Sequence, residues 1–258
     1  MLQTHDIESV YLGTSRRLTV WLPPGARAGA AQYPVLYLND GQNLFDPSRA
    51  FAGRAWDVGE TAARLVRQGR VPPLLIVGID HGESLRSREY LPVEDERNAA
   101  AREPLGRQYA EFVTRELIPF VHRTYPAARG ASNTGFGGSS YGAVAALYTA
   151  VLKPGTFGRL LIERPSQYVG GEYLLRRARV VERWPSRIYL GVGTKETGRA
   201  EIDREAVANV RKFEALLRRR RLGRRRLLTV VEEGGTHSED AWAERLPRAL
   251  EFLYGQPG

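Results

Sequence analysis

Short, continuous apolar runs recur along the chain. They are "YPVLYLND" (33–40), "PPLLIVGID" (72–80), "GRLLIE" (158–163), "SRIYLGVGT" (186–194) and "RLLTVVEEGG" (226–235). Such runs, bounded by turn residues, predict strands buried on both faces. "NTGFGGSS" (133–140) reads as a further short strand entering a tight turn. Between these runs the apolar residues switch to helical spacing. "DVGETAARLVRQGR" (57–70) places Val58, Ala62, Leu65 and Val66 on one face. "GRQYAEFVTRELIPFVHRTY" (106–125) does so with Tyr109, Phe112, Val113, Leu117 and Phe120. "YGAVAALYTAVLK" (141–153), "DREAVANVRKFEALLRRRR" (203–221) and "EDAWAERLPRALEFLYG" (239–255) predict three more helices. The opening "SVYLGTSRRLTVWLPP" (9–24) reads as an antiparallel hairpin turning about Gly13–Thr14.

Strands alternating with helices predict one α/β domain over residues 1–258. It has a mostly parallel central sheet, helices on both faces and an N-terminal antiparallel hairpin. Such sheets bind ligands beyond the carboxyl ends of their strands, so polar residues just after strands are the ones to inspect.

Composition and charge narrow the picture. The 258 residues include no cysteine, which excludes disulfides, thiolate metal sites and a cysteine nucleophile. The net charge of +9 raises the question of nucleic acid. The basic residues are nearly all arginine, with lysine only at 153, 195 and 212. The densest block, "RRRRLGRRR" (218–226), has no interleaved aromatics for base stacking and reads as a helix end stopped by Gly223. No nucleic-acid partner is expected. The longest strongly apolar run, "LLIVGI" (74–79), falls far short of the roughly 20 residues of a membrane span. "MLQTHDIESV" carries acids and no apolar segment of a signal peptide, so a cytoplasmic location is expected.

Three strand ends supply one chemistry. Gly138-Ser139-Ser140-Tyr141-Gly142 matches G-x-S-x-G between a strand and a helix, which makes Ser140 the candidate nucleophile and Ser139 a turn residue. A serine needs a base within hydrogen-bond reach. His237, in "EEGGTHSEDAW", follows the last strand and is the one histidine after Ser140; His81, in "GIDH", precedes it and could line the pocket. In this architecture the chain order is serine, acid, histidine. The acid is therefore sought in "LGVGTKETGRAEID", where Glu196 leads and Asp203 follows; Glu163 lies one strand earlier. An oxyanion hole would take the amide of Tyr141, after the nucleophile, and the amide of Gln42 in "LNDGQNLFD", with Gly41 easing the turn.

With these residues in place, the chain resembles the putative esterase family of α/β-hydrolases. That family includes enterochelin-type siderophore esterases, feruloyl esterases, S-formylglutathione hydrolases and mycolyl transferases. The resemblance rests on "PVLYLNDGQNLFD", "AWDVGET", "VGIDHG", "REYLPV", "TGFGGSSYGAVAALY", "YLGVGTKE" and "GGTHSEDAWAERLPRALEFLYG". It implies an α/β-hydrolase fold, a triad of Ser140, His237 and an acid at Glu196, and a hole built by the amides of Gln42 and Tyr141. It also places Trp56 and Tyr168 near the pocket. Two departures stand out. Glu196 occupies a position that often holds Asp. "RPSQY" (164–168) puts Arg164 where a small residue is expected, at the rim of the acyl pocket. A charge there either pairs with a protein carboxylate, Glu163 being adjacent, or meets an anionic substrate. The implied activity is serine-dependent hydrolysis of a small-molecule carboxylic ester, with no metal or organic cofactor. An acyltransferase, and a catalytically silent fold binding an anionic partner, are the alternatives. The sequence leaves open whether the chain assembles as a homo-oligomer.

Overall fold

A computed structural model describes residues 1–26, 32–170 and 172–256. In chain order its main elements are β1 (Leu2–Ser9), β2 (Thr14–Trp21), β3 (Val35–Asn39), α1 (Val58–Arg67), β4 (Leu75–Ile79) and α2 (Arg86–Tyr90). They continue with α3 (Gly106–Glu111), α4 (Ile118–Thr124), β5 (Thr134–Ser139), α5 (Ser140–Leu152), β6 (Arg159–Glu163) and α6 (Tyr173–Ala178). The last are β7 (Arg187–Gly193), α7 (Ala200–Arg219), β8 (Leu227–Glu232) and α8 (Glu239–Tyr254).

The strands form one eight-stranded sheet in the order β1-β2-β4-β3-β5-β6-β7-β8. β2 pairs antiparallel with both β1 and β4, and every pairing from β4 to β8 is parallel. This is the mostly parallel α/β-hydrolase sheet with an N-terminal antiparallel pair. Alternate residues of each central strand serve opposite faces. Leu36, Leu38, Ile76, Leu161 and Tyr189 pack under α1 and α8. Val35, Tyr37, Val77, Leu160, Ile162 and Leu190 belong to the core under α3, α5, α6 and α7. Burial on both faces is why these strands read as unbroken apolar runs.

Three sequence expectations are corrected. The hairpin's first strand is β1, not Ser9–Leu12. Residues 10–13 make the turn, where Val10 is 90% exposed and Gly13 is left-handed at φ 66. β1 is an edge strand that lies mostly in water, so its polar sequence carries no strand signal. The helix read over 106–125 is interrupted by a π-helical turn, Phe112–Leu117, ahead of Pro119, which has no N–H to continue the ladder. The stop of α7 is Arg221, which takes the left-handed φ of 63, rather than Gly223. Arg218 then caps the end by donating to the carbonyls of Leu222 and Leu227, both at 3.0 Å. The short helices α2 and α6 have no counterpart in the sequence reading.

Candidate active site

β5 delivers its chain to a corner at which Ser140 sits at φ 54, a conformation costly for any residue with a Cβ. The corner fits because its flanks are glycine. A Cβ on Gly138 would lie 2.9 Å from the carbonyl carbon of Gly142, and one on Gly142 would lie 2.8 Å from Asp40 Oδ2. Ser140 is half-buried at the first position of α5, whereas Ser139 is buried within β5.

The loop after β3 is locked to this corner. Asn39 Nδ2 donates to the Gly142 carbonyl at 2.7 Å, and the Tyr109 hydroxyl donates to Asn39 Oδ1 at 2.6 Å. The turn itself is made by Asp40, left-handed at φ 58. Gly41 is required for a different reason from turn flexibility: a Cβ there would lie 2.7 Å from the backbone of Gly78 and Ile79 in β4. Gln42 follows on a single 3-10 turn, and its Oε1 accepts from the His81 amide at 3.3 Å. Arg86 clasps Asp40 with bonds of 2.7 and 2.9 Å and stands 5.7 Å above the Tyr141 ring. The Tyr141 hydroxyl donates to Asp95 at 2.6 Å; burial, foremost, and the neighbouring Tyr168 push it above its ordinary value.

The loops after β7 and β8 meet in one hydrogen-bonded unit. Glu196 lies three residues beyond β7, and its side chain is fully buried. Its Oε1 accepts from the Gly193 amide at 2.7 Å, and its Oε2 bonds His237 Nδ1 at 2.8 Å. The amide of His237 also donates to the Glu196 carbonyl at 3.2 Å. The other two carboxylates considered have different partners. Asp203 accepts from the amide and hydroxyl of Thr197, at 2.7 and 2.8 Å. Glu163 takes three bonds from Nε and Nη2 of Arg245, whose remaining nitrogen reaches Glu232. Burial drives the Glu163 carboxyl up to about 7 against the pull of Arg245, with Glu196 and Glu232 adding like charge.

Arg164 is buried at 8% exposure and left-handed at φ 39. Its nearest carboxylate is Glu196, at 3.6 Å, rather than the adjacent Glu163. Trp56 is held to the loop after β3 by its amide, which donates to the Asn43 carbonyl at 2.9 Å. Trp56 packs 5.5 Å from Trp242, which in turn meets the His237 ring edge-on at 5.0 Å. Tyr168 is half-buried beneath the Arg97 guanidinium, 4.5 Å above its ring. His81 is half-buried, and burial pushes its imidazole below the ordinary value. Sequence reading missed Trp242, Asn43 and the Asp40–Arg86 pair. Trp242 had one signal, its place in the first turn of the helix after His237. Asn43 ties the site together across the chain, donating to Glu239 at 3.1 Å.

Ser140, the Gln42 loop, His81, Arg164, Glu196 and His237 each follow a strand at the carboxyl edge of the sheet; direct contacts join Arg164 and His237 through Glu196 and Gln42 to His81, while Ser140 shares their edge through its place after β5. Among the described residues, no helix is long and apolar enough to cross a membrane.

Comparison with known proteins gives a consistent picture. The family model described as putative esterase matches residues 9–253. The chain is 23% identical over 257 residues to YbbA, an uncharacterized protein of Bacillus subtilis, covering 94% of each. Its fold is similar to that of an IroE-like serine hydrolase from Shewanella oneidensis, with a TM-score of 0.77 at 18% identity over 98% of this chain and 80% of that one. It is also similar to the enterobactin esterase of Shigella flexneri, with a TM-score of 0.74 at 22% identity over 98% of this chain and 59% of that one.

Proposed function

Because the chain belongs to the putative esterase family, and is a carboxylic ester hydrolase, we propose that its reaction runs through a Ser140–His237–Glu196 triad and an acyl-enzyme. The 2.8 Å bond between His237 Nδ1 and the buried Glu196 carries this reading. It commits the Nδ1 proton to the carboxylate and leaves Nε2 to accept a proton from the serine.

In the proposed sequence Ser140 Oγ attacks the ester carbonyl while His237 Nε2 takes the hydroxyl proton. The amides of Gln42 and Tyr141 stabilise the oxyanion, and the rigid ties from Asn39 to Gly142 keep their two loops in register. Collapse of the tetrahedral intermediate breaks the ester C–O bond, and His237 returns its proton to the leaving alcohol. Water, deprotonated by His237, then cleaves the acyl-enzyme; the acid departs and Ser140 regains its proton. Tyr168 and His81 line the substrate side, while Trp56, buried in the core, backs the site through Trp242; the substrate is a small-molecule ester.

The test is active-site labelling with a fluorophosphonate, alongside hydrolysis of aryl esters of graded acyl length. Label on Ser140, lost together with turnover in Ser140→Ala and in His237→Ala, is the expected outcome. An active His237→Ala beside a dead His81→Ala would overturn the choice of base.

A further inference from the structure

Glu196 Oε2 is approached from two sides. His237 Nδ1 lies 2.8 Å away and Arg164 Nε lies 3.6 Å away. Arg164 is fixed at its far end, where Nη1 donates to Ser166 Oγ at 3.2 Å. Its Nε is buried and makes no hydrogen bond among the described residues. The carboxylate next to it in sequence, Glu163, is bound by Arg245 at 2.8 Å. A guanidinium this buried is costly to desolvate unless an anion faces it, and Glu196 is the anion within ion-pair range.

We propose that Arg164 is a positioning residue for ester hydrolysis that acts through Glu196: it holds the carboxylate in place and shares its charge with His237, so setting how readily His237 takes a proton. This rests on the triad reading above. Two cations that draw on one carboxylate oxygen oppose each other. Without Arg164, the charge of Glu196 Oε2 falls to His237 alone. Besides Glu196, one other charged group among the described residues faces His237, Glu239 on α8, which is itself coupled to Asp40 after β3 and Arg86 on α2; Glu196 is in turn coupled to Glu163 on β6, which Arg245 on α8 and Glu232 on β8 flank. Because Glu163 also titrates near 7 and is coupled to Glu196, the titration is run in a Glu163→Gln background as well, so that a shift common to both backgrounds reports on Arg164.

The test compares Arg164→Met, Arg164→Gln and Arg164→Lys. All three keep a side chain at the left-handed position, so the backbone cost at φ 39 is common to them and to the parent. In the Ser140→Ala background, the His237 ring is titrated by NMR with labelled histidine, which needs no turnover. Arg164→Met is expected to raise the midpoint by about 0.5–1 pH unit, and Arg164→Lys to restore most of it. In the active enzyme, the acid limb of kcat/KM for a neutral aryl ester moves by the same amount, and kcat falls about tenfold with KM little changed. A folded Arg164→Met with an unmoved midpoint overturns the proposal. So does a loss confined to KM for anionic esters, which would make Arg164 a substrate contact. Should Arg164→Met fail to fold, Arg164→Gln carries the same two outcomes. Full activity in His237→Ala or Glu196→Gln would defeat the triad reading separately, while the NMR titration still judges the coupling.

Discussion

Ser139 and Ser140 are neighbours in the chain but sit in different environments, one inside a strand and one at a left-handed corner. Ser140→Ala is expected to lower kcat on the order of 10⁶-fold with the fold intact, the scale at which a triad nucleophile is lost. Ser139→Ala costs far less; a dead Ser139→Ala beside an active Ser140→Ala would shift the register of the motif. The acid is tested in the same way. Glu196→Gln is expected to lower kcat by roughly 10⁴-fold, because an amide facing Nδ1 favours the wrong tautomer. Asp203→Asn, whose carboxylate caps Thr197, is expected to keep most of the activity. Similar mild losses in both would point to a Ser–His dyad. Sequence order was enough to nominate all of these residues. It could not tell that Arg164 faces Glu196, because that contact joins loops from two different strands and depends on Glu163 being engaged by α8, 82 residues away.

Elements succeed or fail in sequence according to where their side chains go. β3 to β7 are legible because both of their faces are dry, and the helices over them because one face is. α2 and α6, with 5 and 6 residues, are too short for a periodic pattern to register. The end of β7 shows what spacing alone cannot convey. A Cβ on Gly193 would fall 2.0 Å from the Gly235 carbonyl oxygen, in the loop that carries His237. The Gly193 amide also holds Glu196. Gly193→Ala should therefore part the two loops, lowering the melting temperature through overpacking of about 1–3 kcal/mol and depressing kcat in step. Gly223→Ala is the control, since nothing lies within 4 Å of a Cβ there and its φ is not positive. Equal melting temperatures for the two variants would mean that the loops yield without cost.

At the scale of the whole molecule, Glu163, Arg245 and Glu232 bind β6, β8 and α8 into one buried charge network. The Glu163 carboxyl is raised to about 7 from 4.5, so its protonated form is favoured by the fold. Its contribution to stability is fully present below about pH 4.5 and is lost as pH rises through about 7, by an amount on the order of 3 kcal/mol. Glu163→Gln removes that titration. Wild type should gain on the variant in melting temperature as pH falls from 8 to 5; a constant difference would show that Arg245 holds the carboxylate ionised throughout. The sheet also ends in water at β1, which pairs with β2 on one side only. The polar residues that hide β1 from sequence reading, with Asp6 and Glu8 among them, are of the kind that blunts an open edge against pairing with another strand. Replacing both with valine should leave catalysis intact and make the protein associate with time and concentration, as light scattering would record. The strand hardest to see in the sequence is then the one that governs how crowded a solution of this enzyme can become.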